Sequence, residues 1–61
     1  MIPGIGDMIK NGNGHWLIYD RVDYPNEVVQ YKLFILESGE WGSFTAPFGG
    51  EMPAGLFSIV A

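Results

Sequence analysis

The chain has 61 residues, 48% of them hydrophobic and 16% charged, with no cysteine and a formal net charge of -4. This length predicts one small domain, residues 1–61, and the lack of cysteine excludes disulfides and thiolate metal sites. Its three dispersed cations, Lys10, Arg21 and Lys32, cannot form the basic patch that nucleic acids and anionic membranes require, so neither partner is expected.

The first residues show no basic leader followed by an apolar stretch, so no secretion signal is expected. The longest apolar runs are far shorter than the roughly 20 residues needed to span a bilayer. A cysteine-free chain also suits a reducing compartment. We therefore expect a cytoplasmic protein.

Two Asn-Gly steps in residues 11–14 are the clearest turn signal, because both residue types tolerate positive φ. They separate a predicted strand over residues 7–10 from a second over residues 15–22. The second strand is apolar on both faces, because side chains alternate along a strand. The two alternating sets are Trp16, Ile18 and Val22 on one face and Leu17 and Tyr19 on the other.

A second turn is predicted at residues 23–26, where Pro25 fixes φ. Residues 27–37 follow and favour a strand, because they are dense in β-branched and aromatic residues. A helix over residues 26–38 is the alternative, since Asn26 can cap a helix start and Gly39 can follow a helix end.

As a strand, residues 27–37 have one continuous apolar face and a second face that is polar at first and apolar at the end. The first face carries Val29, Tyr31, Leu33 and Ile35, and the second becomes apolar at Phe34 and Leu36. Two central strands that are apolar on both faces exceed what a chain of this size can cover, which predicts association with another chain.

Residues 38–40 predict a third turn, leading to a fourth strand over residues 41–45. A looser stretch, residues 46–55, precedes a fifth strand over residues 56–61. Five short strands joined by turns predict an all-β fold, a small five-stranded antiparallel and partly open barrel that has room for one short helix or helical turn.

Short segments resemble Src-homology-type domains. They are Gly6-Asp7 before a strand, His15-Trp16 after a loop, Gly55-Leu56-Phe57 near the end, and Leu17-Ile18-Tyr19-Asp20, which resembles the family's opening strand. The resemblance implies the barrel just described. The last segment stands after the Gly-Asp step rather than before it, and the family's peptide-binding pattern cannot be placed on this chain, so membership is not inferred.

No group of residues indicates an enzyme. His15 is the one histidine, and no nucleophile motif accompanies it. The carboxylates Asp20, Asp23 and Glu27 lie around one turn without the ligand spacing of a calcium loop. Neither catalytic residues, a metal site nor a cofactor is predicted.

An aromatic stretch rich in glycine, residues 40–50, is the predicted contact surface. Aromatic side chains on loops bring large contact area with few torsions. The predicted partner-binding residues are Trp41, Phe44, Phe48, Glu40 and Tyr24. The alternative places Trp41 and Phe44 in the core.

The predicted function is a small non-enzymatic binding protein that associates through an apolar, aromatic patch with a protein partner, with copies of itself, or with both. An accessory, inhibitory or structural role in a phage or mobile element is an analogy from size. The alternative is binding of a small ligand, a nucleotide or sugar, in a pocket between subunits.

Overall fold

All five predicted strands are present in the computed structural model, which describes residues 1–60. The fifth strand is shorter than the predicted residues 56–61, because a turn extends to Leu56 and only Ser58–Ile59 pair as a strand; Ala61 lies outside the described residues. The strands are β1 (Met8–Asn11), β2 (Gly14–Tyr24), β3 (Val28–Ile35), β4 (Glu40–Ala46) and β5 (Ser58–Ile59). They form one antiparallel sheet in the order β4-β3-β2-β1-β5. The sheet does not close, so β4 and β5 lie at its two edges. The predicted all-β, partly open fold is confirmed.

The connections follow the predicted turns. Gly12 has a φ of 58° between β1 and β2, and Gly39 has a φ of 70° between β3 and β4. The Gly39 N–H donates to the Ile35 carbonyl at 2.9 Å, which closes the turn between β3 and β4. Residues 28–35 are a strand, so the helix considered for residues 26–38 is excluded. Short 3-10 turns occupy Pro25–Glu27 and Phe48–Gly50.

A β-bulge interrupts the pairing of β2 with β3. Ile18 lies opposite Leu33, and the next pair is Asp20 with Lys32, so that Tyr19 is an extra residue on β2. Beyond the bulge the alternation of β2 is shifted by one residue. Val22 therefore lies opposite Gln30, on the face away from Ile18, and the expectation that it shares a face with Trp16 and Ile18 was wrong.

One face of the sheet carries the hydrophobic core. Val29, Tyr31 and Leu33 alternate along β3 and are at most 2% exposed, which confirms the core face predicted for this strand. The buried hydrophobic residues are Ile9, Ile18, Val29, Tyr31, Leu33, Ala46, Met52 and Phe57, with Met1, Trp16 and Phe44 packed against them.

Two segments outside the strands cover this core. The backbone of Met1 pairs with that of Met52, with N···O distances of 2.8 and 3.0 Å, so the N-terminal segment is tied to the chain after β4. The Tyr31 hydroxyl donates to the Gly50 carbonyl at 2.7 Å. We call residues 47–57, which include Gly50, Met52 and Phe57, the covering segment.

Gly50 shows how closely the covering segment approaches the sheet. Its φ is 93°, and a Cβ there would lie 2.4 Å from the Tyr31 hydroxyl oxygen. Burial raises the pKa of Tyr31, against the opposing effect of Arg21, so the hydroxyl keeps its proton and remains a donor. This position therefore requires glycine both for its conformation and for space.

Within residues 1–60, no helix has the length and apolar character needed to cross a membrane.

Candidate interaction surface

The sheet face opposite the core carries a row of large side chains that runs across four strands. The pairs Met8 with Leu17, Leu17 with Phe34, and Phe34 with Trp41 are in register. Because alternate residues of a strand point to opposite faces, this row lies on the face away from Ile9 and Leu33. We call this side of the sheet the open face.

Three aromatic rings on the open face form a group in which Trp41 contacts the other two. The Trp41 ring lies 4.8 Å from the Phe34 ring and 4.9 Å from the Tyr19 ring, both in edge-to-face arrangements. The bulge supplies Tyr19 to this group, since it adds one residue to β2 at this point. Trp41 is 68% exposed and Tyr19 is 43% exposed. We call Tyr19, Phe34 and Trp41 the open aromatic cluster.

Aliphatic side chains extend the open aromatic cluster. Leu17 and Phe34 are half-buried, and Leu36, just past the end of β3, is exposed. The Leu36 N–H donates to the His15 carbonyl at 3.0 Å, which keeps Leu36 in register with β2. Trp16, by contrast, lies on the core face. Excess apolar surface is predicted for the two central strands, on residues that include Trp16, Leu17, Phe34 and Leu36. The structure does not bury all four.

The charge of the open face differs from that of the rest of the molecule. Lys10 and Lys32 occupy open-face positions, and Asp20 is the register partner of Lys32. Glu37 lies at the rim, where its carboxylate accepts the His15 backbone N–H at 2.7 Å and contacts His15 Nδ1 at 2.7 Å. Both hydrogen bonds lower the pKa of Glu37, and the one from the backbone N–H has the larger effect.

Overall the open face is balanced in charge, whereas the chain as a whole is acidic. The remaining carboxylates, outside the open face and its rim, are Asp7, Asp23, Glu27, Glu40 and Glu51, and the remaining side-chain cation is Arg21. Most of the acidic side chains therefore lie off the open face, although Glu40 directly precedes Trp41 in the sequence.

The predicted partner-binding residues do not form one patch. Trp41 and Phe44 are three residues apart on β4 and so lie on opposite faces of the sheet. Phe44 packs against the core, with its ring 5.9 Å from that of Trp16 and 5.4 Å from that of Phe57. The expectation that Trp41 and Phe44 share a surface is corrected accordingly, and the alternative that placed Phe44 in the core describes its position.

Glu40 and Tyr24 are both exposed, but they do not belong to one surface patch. Glu40 pairs with Ile35 and therefore has core-face parity at the end of β4. Tyr24 lies opposite Val28, and its hydroxyl donates to Gln30 Oε1 at 3.2 Å. Val28 is six residues from Phe34 along β3, or about 20 Å at the rise of a strand.

Phe48 is the most exposed aromatic side chain among the described residues, at 80%. It begins the turn Phe48–Gly50, which lies over the core face: the Tyr31 hydroxyl reaches the Gly50 carbonyl, and Arg21 Nη2 reaches the Gly49 carbonyl at 3.5 Å. Phe48 has a φ of 57°, in the left-handed region that bulky residues rarely adopt. It therefore stands on the side of the molecule opposite Trp41.

Sequence reasoning missed Tyr19 and Phe34 as members of the surface. The signal was present for Phe34, because the second face of β3 becomes apolar there, and counting back through the turn at Gly39 pairs Phe34 with Trp41. Tyr19 had no such signal, since the bulge that brings it to the cluster breaks strict alternation.

The described part of the chain forms no enclosed pocket, and within it no three histidine, cysteine or acidic side chains are grouped as a metal site. Comparison of the chain with protein-family models, with curated proteins and with solved structures found no match. Function is therefore inferred from the residues and their placement alone.

Proposed function

We propose that this chain is a small non-enzymatic binding protein that associates with protein surfaces, including copies of itself, through the open aromatic cluster. The observation that carries the proposal is the contact of three aromatic rings on an uncovered sheet face, with Trp41 68% exposed at its centre. We include a cytoplasmic location in the proposal, because the chain has no cysteine.

Residue type supports association. Tryptophan and tyrosine are the residues most often responsible for binding energy, because they bring large rigid area to a contact. A contiguous exposed apolar patch of this kind is typical of interaction sites on soluble domains. The edge-to-face contacts of Trp41 hold the rings in place before a partner arrives, which lowers the entropy lost on binding.

The size of the face also supports association. The molecule extends 32 × 23 × 16 Å, so its broad side is large relative to its thickness. A stable interface buries about 800 Å² on each partner, and a sheet face of these dimensions offers roughly that area. A 61-residue chain buries a smaller fraction of its surface than a larger domain, and association adds the missing burial.

Truncation of Trp41 tests this function. We expect Trp41→Ala to raise the dissociation constant for self-association about tenfold or more, because a central aromatic anchor is lost. Sedimentation equilibrium over a range of concentrations measures it, and urea unfolding at low concentration reports on the fold.

Leu56→Ala is the matched control. Leu56 is 65% exposed, a fraction similar to that of Trp41, but it lies in the covering segment rather than on the open face. The Leu56→Ala variant should associate as the wild type does. Equal association of wild type and Trp41→Ala, with both folded, would refute the proposal.

Small-ligand binding between subunits stays a prediction. A thermal-shift screen of nucleotides and sugars tests it, since a pocket gives stabilisation that saturates with one class of ligand.

A further inference from the structure

Phe48 has a conformation and an exposure that its own fold does not explain. A bulky residue in the left-handed region is strained, whereas a glycine is not. A buried side chain could offset that cost, but Phe48 is 80% exposed. Glycine would suit this backbone better, so neither burial nor backbone conformation explains a phenylalanine here.

The end of the molecule that carries Phe48 is acidic. The turn Phe48–Gly50 lies against the turn Pro25–Glu27, which brings Glu27 to this end. Asp23 is 70% exposed and contacts Arg21, whose guanidinium reaches the Gly49 carbonyl. Glu51 follows the turn directly and contacts the amino terminus of Met1. Three carboxylates, Asp23, Glu27 and Glu51, thus lie at this end with two positive groups, Arg21 and the amino terminus, which leaves a net charge of -1.

The open face is less acidic. It is apolar at the open aromatic cluster, and its strand positions carry Lys10 and Lys32 against one carboxylate, Asp20, a net charge of +1, with Glu37 at the rim. Phe48 stands over the core face, on the other side of the sheet, so one molecule cannot bring its own Phe48 to its own Trp41. A second molecule can bring the two surfaces together.

We propose that Phe48 of one copy docks on the open face of a second copy, beside Trp41 and Lys32. This inference rests on the proposed function and names the occupant of its surface. The two contacting surfaces are different, so the contact is head-to-tail and each bound copy leaves one surface of each kind free. Assembly then continues as a ring or an open filament instead of stopping at a symmetric dimer.

Two variants with complementary defects test the inference. Trp41→Ala removes the receiving surface and keeps Phe48, whereas Phe48→Gly removes the docking ring and keeps the open face. Phe48→Gly should be at least as stable as the wild type, because glycine accepts positive φ without strain. Analytical ultracentrifugation measures the mass of each variant alone and of an equal mixture, and urea unfolding verifies that each is folded.

The expected result has three parts. The mass of the wild type grows continuously with concentration, and each variant alone stays monomeric. The equal mixture forms a heterodimer but nothing larger, because the two surfaces left free in that heterodimer are the two that carry the substitutions. If Trp41→Ala does not fold, Lys32→Glu replaces it as the variant with a defective open face.

The other outcomes overturn the inference. Self-association of Phe48→Gly equal to that of the wild type, with Trp41→Ala monomeric, would leave the proposed function standing and indicate face-to-face pairing instead. A mixture that stays monomeric would also contradict head-to-tail docking. A wild type that is monomeric throughout, or self-association unaffected by either substitution, would contradict both proposals.

Discussion

The two faces of the sheet carry similar aromatic groups and differ in what lies over them. Each face holds three rings in contact, with centroid distances of 5.4 to 5.9 Å on the core face and 4.8 to 4.9 Å on the open face. The rings are Trp16, Phe44 and Phe57 on the core face and Tyr19, Phe34 and Trp41 on the open face. Strand alternation supplies Trp16 and Phe44 to one side and Phe34 and Trp41 to the other. The covering segment adds Phe57 and closes the core side, whereas the bulge adds Tyr19 to the open side.

The largest expected difference between the faces is in the cost of removing a leucine. Leu33 is 2% exposed on the core face, and Leu36 is 43% exposed on the open side. We expect Leu33→Ala to lower the free energy of unfolding by about 3 kcal/mol, because it leaves a cavity. Leu36→Ala should lower it by less than about 1 kcal/mol.

Urea unfolding of the monomer, at concentrations below self-association, measures both values. Equal losses for the two variants would contradict the distinction, because the open side would then contribute to stability as a core does.

A second prediction concerns the cover itself. Gly50→Ala should destabilise the fold by about 2 kcal/mol, because its Cβ would lie 2.4 Å from the Tyr31 hydroxyl oxygen and its φ of 93° disfavours alanine. Gly55 lies in the same covering segment, and a Cβ there meets no atom within 4 Å. Gly55→Ala is therefore the control, with little change expected in the thermal midpoint. A Gly50→Ala protein as stable as Gly55→Ala would show that the cover is loosely held.

The smallest expected effect concerns the rim of the open face and depends on pH. Hydrogen bonds from His15 lower the pKa of Glu37, so the folded state binds its proton more weakly than the unfolded state does. This stabilisation is present above the ordinary glutamate pKa of about 4.3 and is lost as the pH falls through the lowered value.

Comparison of the wild type with Glu37→Gln measures this contribution, since glutamine does not titrate. The difference between their urea midpoints should shrink as the pH is lowered from about 7 through the ordinary glutamate pKa and on through the lowered value. A difference that stays constant with pH would mean that the carboxylate charge is not what His15 stabilises.

Much of the fold could be predicted, because local chemistry determines it. The Asn-Gly steps at residues 11–14 specify a hairpin, and the alternation from Val29 to Leu33 specifies a core face. The separation of Trp41 from Phe44 was also readable, because residues three apart on a strand face opposite sides.

Tertiary features could not be predicted in the same way. The bulge at Tyr19 depends on pairing with β3, and no turn residue marks it, so Val22 was assigned to the wrong face. The position of Phe48 over the core face depends on the hydrogen bond between Tyr31 and Gly50, which are 19 residues apart. Such contacts arise from the assembled sheet and leave no local pattern.

The bulge has a consequence for how a surface of this kind can evolve. Tyr19 and Asp20 together oppose Lys32, so Tyr19 is supernumerary in the ladder. Insertion or deletion of that single codon adds or removes a ring on the outer side while every other residue of β2 keeps its orientation. An aromatic ring on the open face can thus be gained or lost in one mutational step, with the fold beneath it unaltered.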